Sequence, residues 1–120
     1  MSLTGYITLS MLLLTGSLQL NGNSLFGNIP TNIGELLSLE SLNLDTNFLT
    51  GTLPPQLGSL AFMRELILSN NVFSGVLPAE IGNLINLEVL IVEGMATSPT
   101  KLTGPIPPEI GNLALLRTYS

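Results

Sequence analysis

Leu42–Asn43–Leu44–Asp45–Thr46–Asn47–Phe48–Leu49–Thr50–Gly51–Thr52–Leu53–Pro54 decides how this chain folds, because the chain says it again and again. The first half of the stretch, Leu-x-Leu-x-x-Asn-x-Leu, is matched upstream by Leu18-x-Leu20-x-x-Asn23-x-Leu25. Downstream it is matched by Leu66-x-Leu68-x-x-Asn71-x-Phe73, and a fourth copy opens as Leu90-x-Val92 before losing the pattern. The second half recurs as Leu25–Phe26–Gly27–Asn28–Ile29–Pro30, Phe73–Ser74–Gly75–Val76–Leu77–Pro78 and Leu102–Thr103–Gly104–Pro105–Ile106–Pro107. Pro30, Pro54 and Pro78 are spaced by 24 residues and Pro107 follows after 29. A unit this short cannot bury its own apolar face and must stack on its neighbours, which makes a solenoid. A solenoid displays an extended surface, and that favours binding over chemistry.

Each part of the unit has a physical reading. Apolar residues alternating over three positions make a short strand with one face buried. Side by side, such strands form a parallel sheet spaced ~4.8 Å apart, so four to five repeats make a rod roughly 20 Å long. Asn23, Asn47 and Asn71 carry an amide that both donates and accepts, which suits a buried ladder bonding turn backbone of one repeat to the next. Gly27, Gly51, Gly75 and Gly104 suit a bend where a side chain would clash or φ is positive. The proline that follows fixes φ, lacks a donor and can open a short helical turn. Those turns end at Gly34, Gly58, Gly82 and Gly111, each expected to be a left-handed terminator. Leu36 and Leu39, Leu60 and Met63, Leu84 and Leu87, and Leu113 and Leu116 then recur at one offset as core.

Composition removes several function classes. The 120 residues contain three basic side chains, Arg64, Lys101 and Arg117, and the formal net charge is −5, so nucleic-acid binding is not expected. With no Cys and no His, thiol catalysis, disulfides, histidine triads and the usual zinc sites are excluded. Glu35, Glu80 and Glu109 fall one per repeat on the convex turns and do not converge, and no phosphate-cradling or nucleophile motif occurs, so an enzyme is not expected and no cofactor is implied. No apolar run approaches the ~20 residues that span a bilayer, so direct membrane insertion by this chain is not expected. Residues 1–17 contain Ile7–Thr8–Leu9–Ser10–Met11–Leu12–Leu13–Leu14, which has the length of a signal-peptide core but lacks preceding basic residues. Its leucines also fit the repeat register, which favours a degraded N-terminal repeat, with the repeat domain proper over residues 18–120.

The full unit, Leu-x-x-Leu-x-Leu-x-x-Asn-x-Leu-x-Gly-x-Ile-Pro-x-x-Ile-Gly-x-Leu, resembles the plant-specific class of leucine-rich repeat from about Leu12 to Ser120. It looks like the extracellular repeats of plant receptor-like kinases, including those with a malectin-like domain, and is similar to plant polygalacturonase-inhibiting proteins. The resemblance implies an α/β solenoid: a right-handed superhelix with a short parallel sheet on the concave side, a second short strand near Gly-x-Ile-Pro, and 3₁₀ turns on the convex side. It implies a protein or peptide partner, a role in cell-surface signalling, and a place on the outer side of the plasma membrane or in secretion. A secreted inhibitor of a cell-wall-degrading enzyme and an inactive remnant stand as alternatives. The chain departs from the family in lacking the cysteine-paired caps, the membrane span, the kinase and any Asn-x-Ser/Thr sequon. It therefore reads as a truncated piece, with Leu113, Leu115 and Leu116 expected to be bare and self-association expected through uncapped ends.

The candidate recognition surface follows from the strand alternation. Outward positions between the buried leucines run Gln19, Asn43, Ile67, Ile91; before them Ser17, Ser41, Glu65, Val89; after them Asn21, Asp45, Ser69, Glu93. Ile67, Val89 and Ile91 place an apolar cluster there, which marks a partner site, β-branched residues tolerated on an open face, or a patch that downstream sequence covers. Asp45, Glu65 and Glu93 add a mild acidic tint that suits a basic or polar partner. The longer last interval places five extra residues within 93–101, either a projecting binding loop or a tolerated insertion, and Thr100 stands where the next ladder asparagine belongs.

Overall fold

The computed structural model describes residues 16–93 and 106–120. Eight short strands follow one another: β1 (Ser17–Gln19), β2 (Phe26–Asn28), β3 (Ser41–Asn43), β4 (Phe48–Gly51), β5 (Glu65–Ile67), β6 (Val72–Phe73), β7 (Val89–Ile91) and β8 (Thr118–Tyr119). The chain alternates between two parallel sheets, ordered β1-β3-β5-β7-β8 and β2-β4-β6. Between them run 3₁₀ turns at Thr31–Glu35, Pro55–Ser59, Ala79–Asn83 and Pro108–Asn112. This is a leucine-rich-repeat solenoid, one coil per repeat.

The register is that of the repeat itself. Leu18, Leu42, Leu66 and Leu90 lie side by side in one row that ends at Tyr119. The four leucines are buried, whereas Tyr119 is exposed. Leu39, Met63 and Leu87 are fully buried after the turns, and Leu36, Leu60, Leu84 and Leu113 join them in a single continuous core. Leu113 is thus covered, Leu116 packs partly against the core, and only Leu115 of the three expected bare leucines is open to solvent.

The prolines start the turns as expected: Pro30, Pro54, Pro78 and Pro107 stand at the N-caps with extended backbone. Gly27, Gly51 and Gly75 have φ of 90°, 80° and 82°, the region a side chain disfavours. The second set of glycines corrects the sequence reading. Gly34, Gly58, Gly82 and Gly111 are not left-handed. Gly34, Gly58 and Gly82 are small because the next coil lies on them: a Cβ would meet the Gln56 carbonyl at 2.9 Å on Gly34 and the Glu109 carbonyl at 2.5 Å on Gly82, and on Gly58 it would run into the Glu80 carbonyl. Left-handed backbone falls instead one residue before each ladder asparagine, at Gly22, Thr46 and Asn70.

Asn47 and Asn71 tie coil to coil. The Asn47 Nδ2 donates to the carbonyls of Leu20 and Leu44, both at 3.0 Å, while its Oδ1 accepts the N–H groups of Asn23 and Leu25. Asn71 repeats this one coil on, with Leu44, Leu68 and Leu49. Asn23 departs from the expected buried ladder. It is exposed, and among the described residues its Nδ2 donates to the Asn21 carbonyl. The coil that would precede it falls within residues that are not described. Thr100, most of the 93–101 insertion, and residues 1–15 lie outside the described residues.

Candidate functional site

The outer face of the five-stranded sheet collects the predicted positions into columns. Hydrogen bonding of β1, β3, β5 and β7 sets Gln19 beside Asn43, Ile67 and Ile91, and Ser17 beside Ser41, Glu65 and Val89, with Thr118 continuing the second column. Gln19 and Glu65 are exposed, and Asn43, Ile67, Val89 and Ile91 are half-buried. The three β-branched side chains sit on two adjacent strands and form one apolar patch. At the other end the face is polar and internally bonded. The Gln19 Nε2 donates to Ser17 Oγ at 2.9 Å and to Ser41 Oγ at 2.7 Å, and Ser41 Oγ donates to a Glu65 carboxylate oxygen at 3.3 Å. Three coils are thereby linked by side chains alone.

The column after the strands is built differently from the sequence expectation. Ser69 is buried rather than outward, and its hydroxyl donates to Asp45 Oδ1 at 2.7 Å. Asn70 Nδ2 donates to the same oxygen at 2.9 Å and Thr46 Oγ1 donates to Asp45 Oδ2 at 3.0 Å. The Ser69 hydroxyl, above all, holds the Asp45 carboxyl below its ordinary value, against the opposing effect of burial, with Asn70 and Thr46 adding to it. Asp45 is therefore an ionised, well-satisfied bracket between two coils. Glu93, at the end of the described segment, is exposed, and the Asn70 N–H donates to its carbonyl.

A second column escaped the sequence reading. Glu40, Arg64, Glu88 and Arg117 each stand just before a strand, and each N–H donates to the carbonyl at the same position of the preceding coil: Glu40 to Gly16 at 2.7 Å, Arg64 to Glu40 at 2.7 Å and Glu88 to Arg64 at 2.8 Å. The Arg64 Nε lies 2.7 Å from Glu88 Oε2 and the Arg117 Nε 3.4 Å from Glu88 Oε1. The hydrogen bond from Arg64 is the main reason the Glu88 carboxyl lies below its ordinary value, and Arg64 is raised in return. With Ser17, Ser41 and Glu65 these side chains line an open groove along the rim of the sheet. The signal was available: two of the chain's three basic residues fall on this one repeat position. Among the described residues no group of His, Cys, Asp or Glu is arranged to hold a metal ion.

Comparison with known proteins agrees with this architecture. The Leucine Rich Repeat family matches at residues 38–60 and 62–84. No curated protein matches the chain significantly. Among solved structures, the Arabidopsis receptor kinase HAESA ectodomain, in complex with an N-terminally extended IDA peptide hormone, is 42% identical over 86% of this chain and 17% of its own, with a TM-score of 0.79. The plant peptide hormone receptor RGFR1, in complex with RGF2, is 38% identical over 84% of this chain and 15% of its own, with a TM-score of 0.78. A leucine-rich-repeat protein of Leptospira interrogans is 36% identical over 87% of this chain and 24% of its own, with a TM-score of 0.72. The chain carries leucine-rich repeats and resembles a segment of the ectodomains of plant receptor kinases, spanning less than a quarter of each of these three structures. No helix among the described residues is long and apolar enough to cross a membrane.

Proposed function

We propose that this chain is a ligand-recognition module of a receptor-like ectodomain, acting outside the cell in surface signalling, and that it takes an extended peptide or protein segment across the outer face of the five-stranded sheet. The observation that carries this reading is the graded face. Ile67, Val89 and Ile91 form an apolar seat on neighbouring strands, and Gln19, Ser41, Asn43 and Glu65 supply donors and acceptors beside it. A segment with an apolar anchor and a polar or basic neighbour fits that gradient, since a few desolvated anchors carry affinity and charge complementarity sets orientation. The peptide hormones named with two of the similar ectodomains support this class of ligand.

The test is a random peptide library displayed on phage and selected on the purified chain. Selected peptides are expected to lose roughly tenfold or more affinity for the double variant Ile67→Asp with Ile91→Asp, while Glu80→Lys, on the exposed 3₁₀ side, leaves binding unchanged. Circular dichroism of the double variant is expected to match the parent, because both side chains point away from the buried leucine row. Peptides that bind the double variant as tightly as the parent would overturn the assignment of this face.

A further inference from the structure

The strongest unassigned surface lies beside the sheet, on the side where the coils turn toward their strands. Each of those turns sets one large apolar side chain in solvent: Leu37, Phe62, Ile85 and Leu115, between 55% and 62% exposed. The ionic column Glu40, Arg64, Glu88, Arg117 runs two or three residues further along each coil, where the turn leads into the strand. An apolar ribbon bordered by a charged rail is thus left open along four consecutive coils.

We infer that this edge is a homodimer interface, covered by a second copy of the chain running antiparallel. The charge order is the reason. Over these four coils the rail reads negative, positive, negative, positive, with the uncharged Gly16 at the same position of the first described coil, and that four-residue order is its own complement when reversed. A two-fold axis lying in the plane of the edge, perpendicular to the stacking direction, sets Glu40 of one copy against Arg117 of the other and Arg64 against Glu88. Every pair then occurs twice, as an isologous contact requires. The same operation brings Leu37 to Leu115 and Phe62 to Ile85, so the ribbon is self-complementary about the same centre. The ion pair that Arg64 already makes uses Nε, and arginine has five N–H donors, so the fork can take a second carboxylate.

The two components have different tasks. Exposed ion pairs contribute little to affinity but fix register and orientation. The four apolar side chains supply the attraction. Both five-stranded sheets face the same way in this dimer, so the column Gln19, Asn43, Ile67, Ile91, farther from the rail, stays open. Contact through the solenoid ends would make no use of the charge order and is distinguished by it.

Sedimentation velocity over a concentration series is expected to show a reversible dimer. Arg64→Glu places two carboxylate pairs against each other across the two-fold, and Glu88→Arg places two guanidinium pairs. Each variant alone is expected to associate roughly tenfold or more weakly. Mixed one to one, the two variants are complementary at every coil and are expected to recover association as a heterodimer. Phe62→Ser with Ile85→Ser, at exposed positions, is expected to remain folded by circular dichroism and to be monomeric. A parent chain that stays monomeric throughout the series would overturn the interface. So would association untouched by Arg64→Glu, or a mixture that fails to recover it.

Discussion

Asn71 Nδ2 donates to the carbonyl of Leu44, 27 residues upstream, at 2.8 Å, so a side chain of one coil closes a turn of the coil before it. The same amide accepts the Leu49 N–H at 3.0 Å through Oδ1 and donates to its own turn at Leu68 and Ser69. Four backbone groups of two coils thus depend on one buried side chain.

Asn71→Ala is therefore expected to be among the most damaging single changes. It strands the Leu44 carbonyl and the Leu49 N–H away from water, and a buried polar group without a partner costs about 1–3 kcal/mol. A loss of about 3 kcal/mol in urea-induced unfolding is expected, allowing for partial relaxation. Asn23→Ala, at the same repeat position, is expected to cost under about 0.5 kcal/mol, because Asn23 is exposed and its side chain donates locally, to the Asn21 carbonyl. Equal losses at the two positions would contradict the account of the ladder.

That pair shows what the sequence reveals and what it conceals. The leucine rows, the turn prolines and the positive φ at Gly27, Gly51 and Gly75 are local requirements that recur, so periodicity alone displays them. Asn23 has the same residue type and spacing as Asn47, yet Asn23 is exposed and Asn47 is buried, a difference the spacing does not display. Gly34, Gly58 and Gly82 look like turn terminators because the sequence shows their own coil and not the carbonyl of the next one. The outward columns of the sheet follow from alternation and their placement was legible residue by residue, except at Ser69, where a bond to Asp45 draws the side chain inward. The Glu40 to Arg117 rail was legible too, but a reading that starts at the first strand leucine passes over the residues just before it.

Gly58 tests the contact that the sequence concealed. A Cβ there would strike the Glu80 carbonyl and crowd the Glu80 Cβ, both in the following 3₁₀ turn. Gly58→Ala is expected to cost about 1–3 kcal/mol, the usual range for overpacking against groups that cannot move aside. Gly111 has nothing within 4 Å among the described residues, and its backbone is not left-handed, so Gly111→Ala is expected to be neutral or slightly stabilising. Thermal melts of the two variants are the comparison; a neutral Gly58→Ala would show that the coils can move apart.

Thr46 carries strain that the repeat relieves elsewhere. Its φ is 57°, and the equivalent positions hold Gly22 at 69° and Asn70 at 53°. A left-handed β-branched residue costs roughly 1–2 kcal/mol relative to the right-handed region, whereas glycine pays mainly unfolded-chain entropy of about 0.5–1 kcal/mol. The hydroxyl also donates to Asp45, which offsets part of the strain. Thr46→Gly is expected to stabilise the chain by up to about 1 kcal/mol, read as a higher urea midpoint at unchanged slope.

Asp45 is expected to contribute to the acid sensitivity of this fold. Its carboxylate accepts from Ser69, Asn70 and Thr46, and these bonds hold its pKa below the ordinary 3.8, the Ser69 hydroxyl most of all. A carboxyl with a depressed folded-state value binds protons more readily in the unfolded chain. Its contribution is therefore complete above the unfolded value and is lost as pH falls through the folded one. Glu88, lowered from 4.5 chiefly by Arg64, acts with the same sign. Urea midpoints are expected to hold steady from about pH 8 down to about pH 5, because the chain has no histidine to titrate in that range. They then fall as the two carboxylates protonate. Asp45→Asn preserves the shape and one acceptor oxygen but removes the charge. It is expected to lower the midpoint at neutral pH and to flatten the decline below about pH 4. A decline as steep in Asp45→Asn as in the parent would show that the bracket between the second and third coils does not depend on the ionised carboxylate.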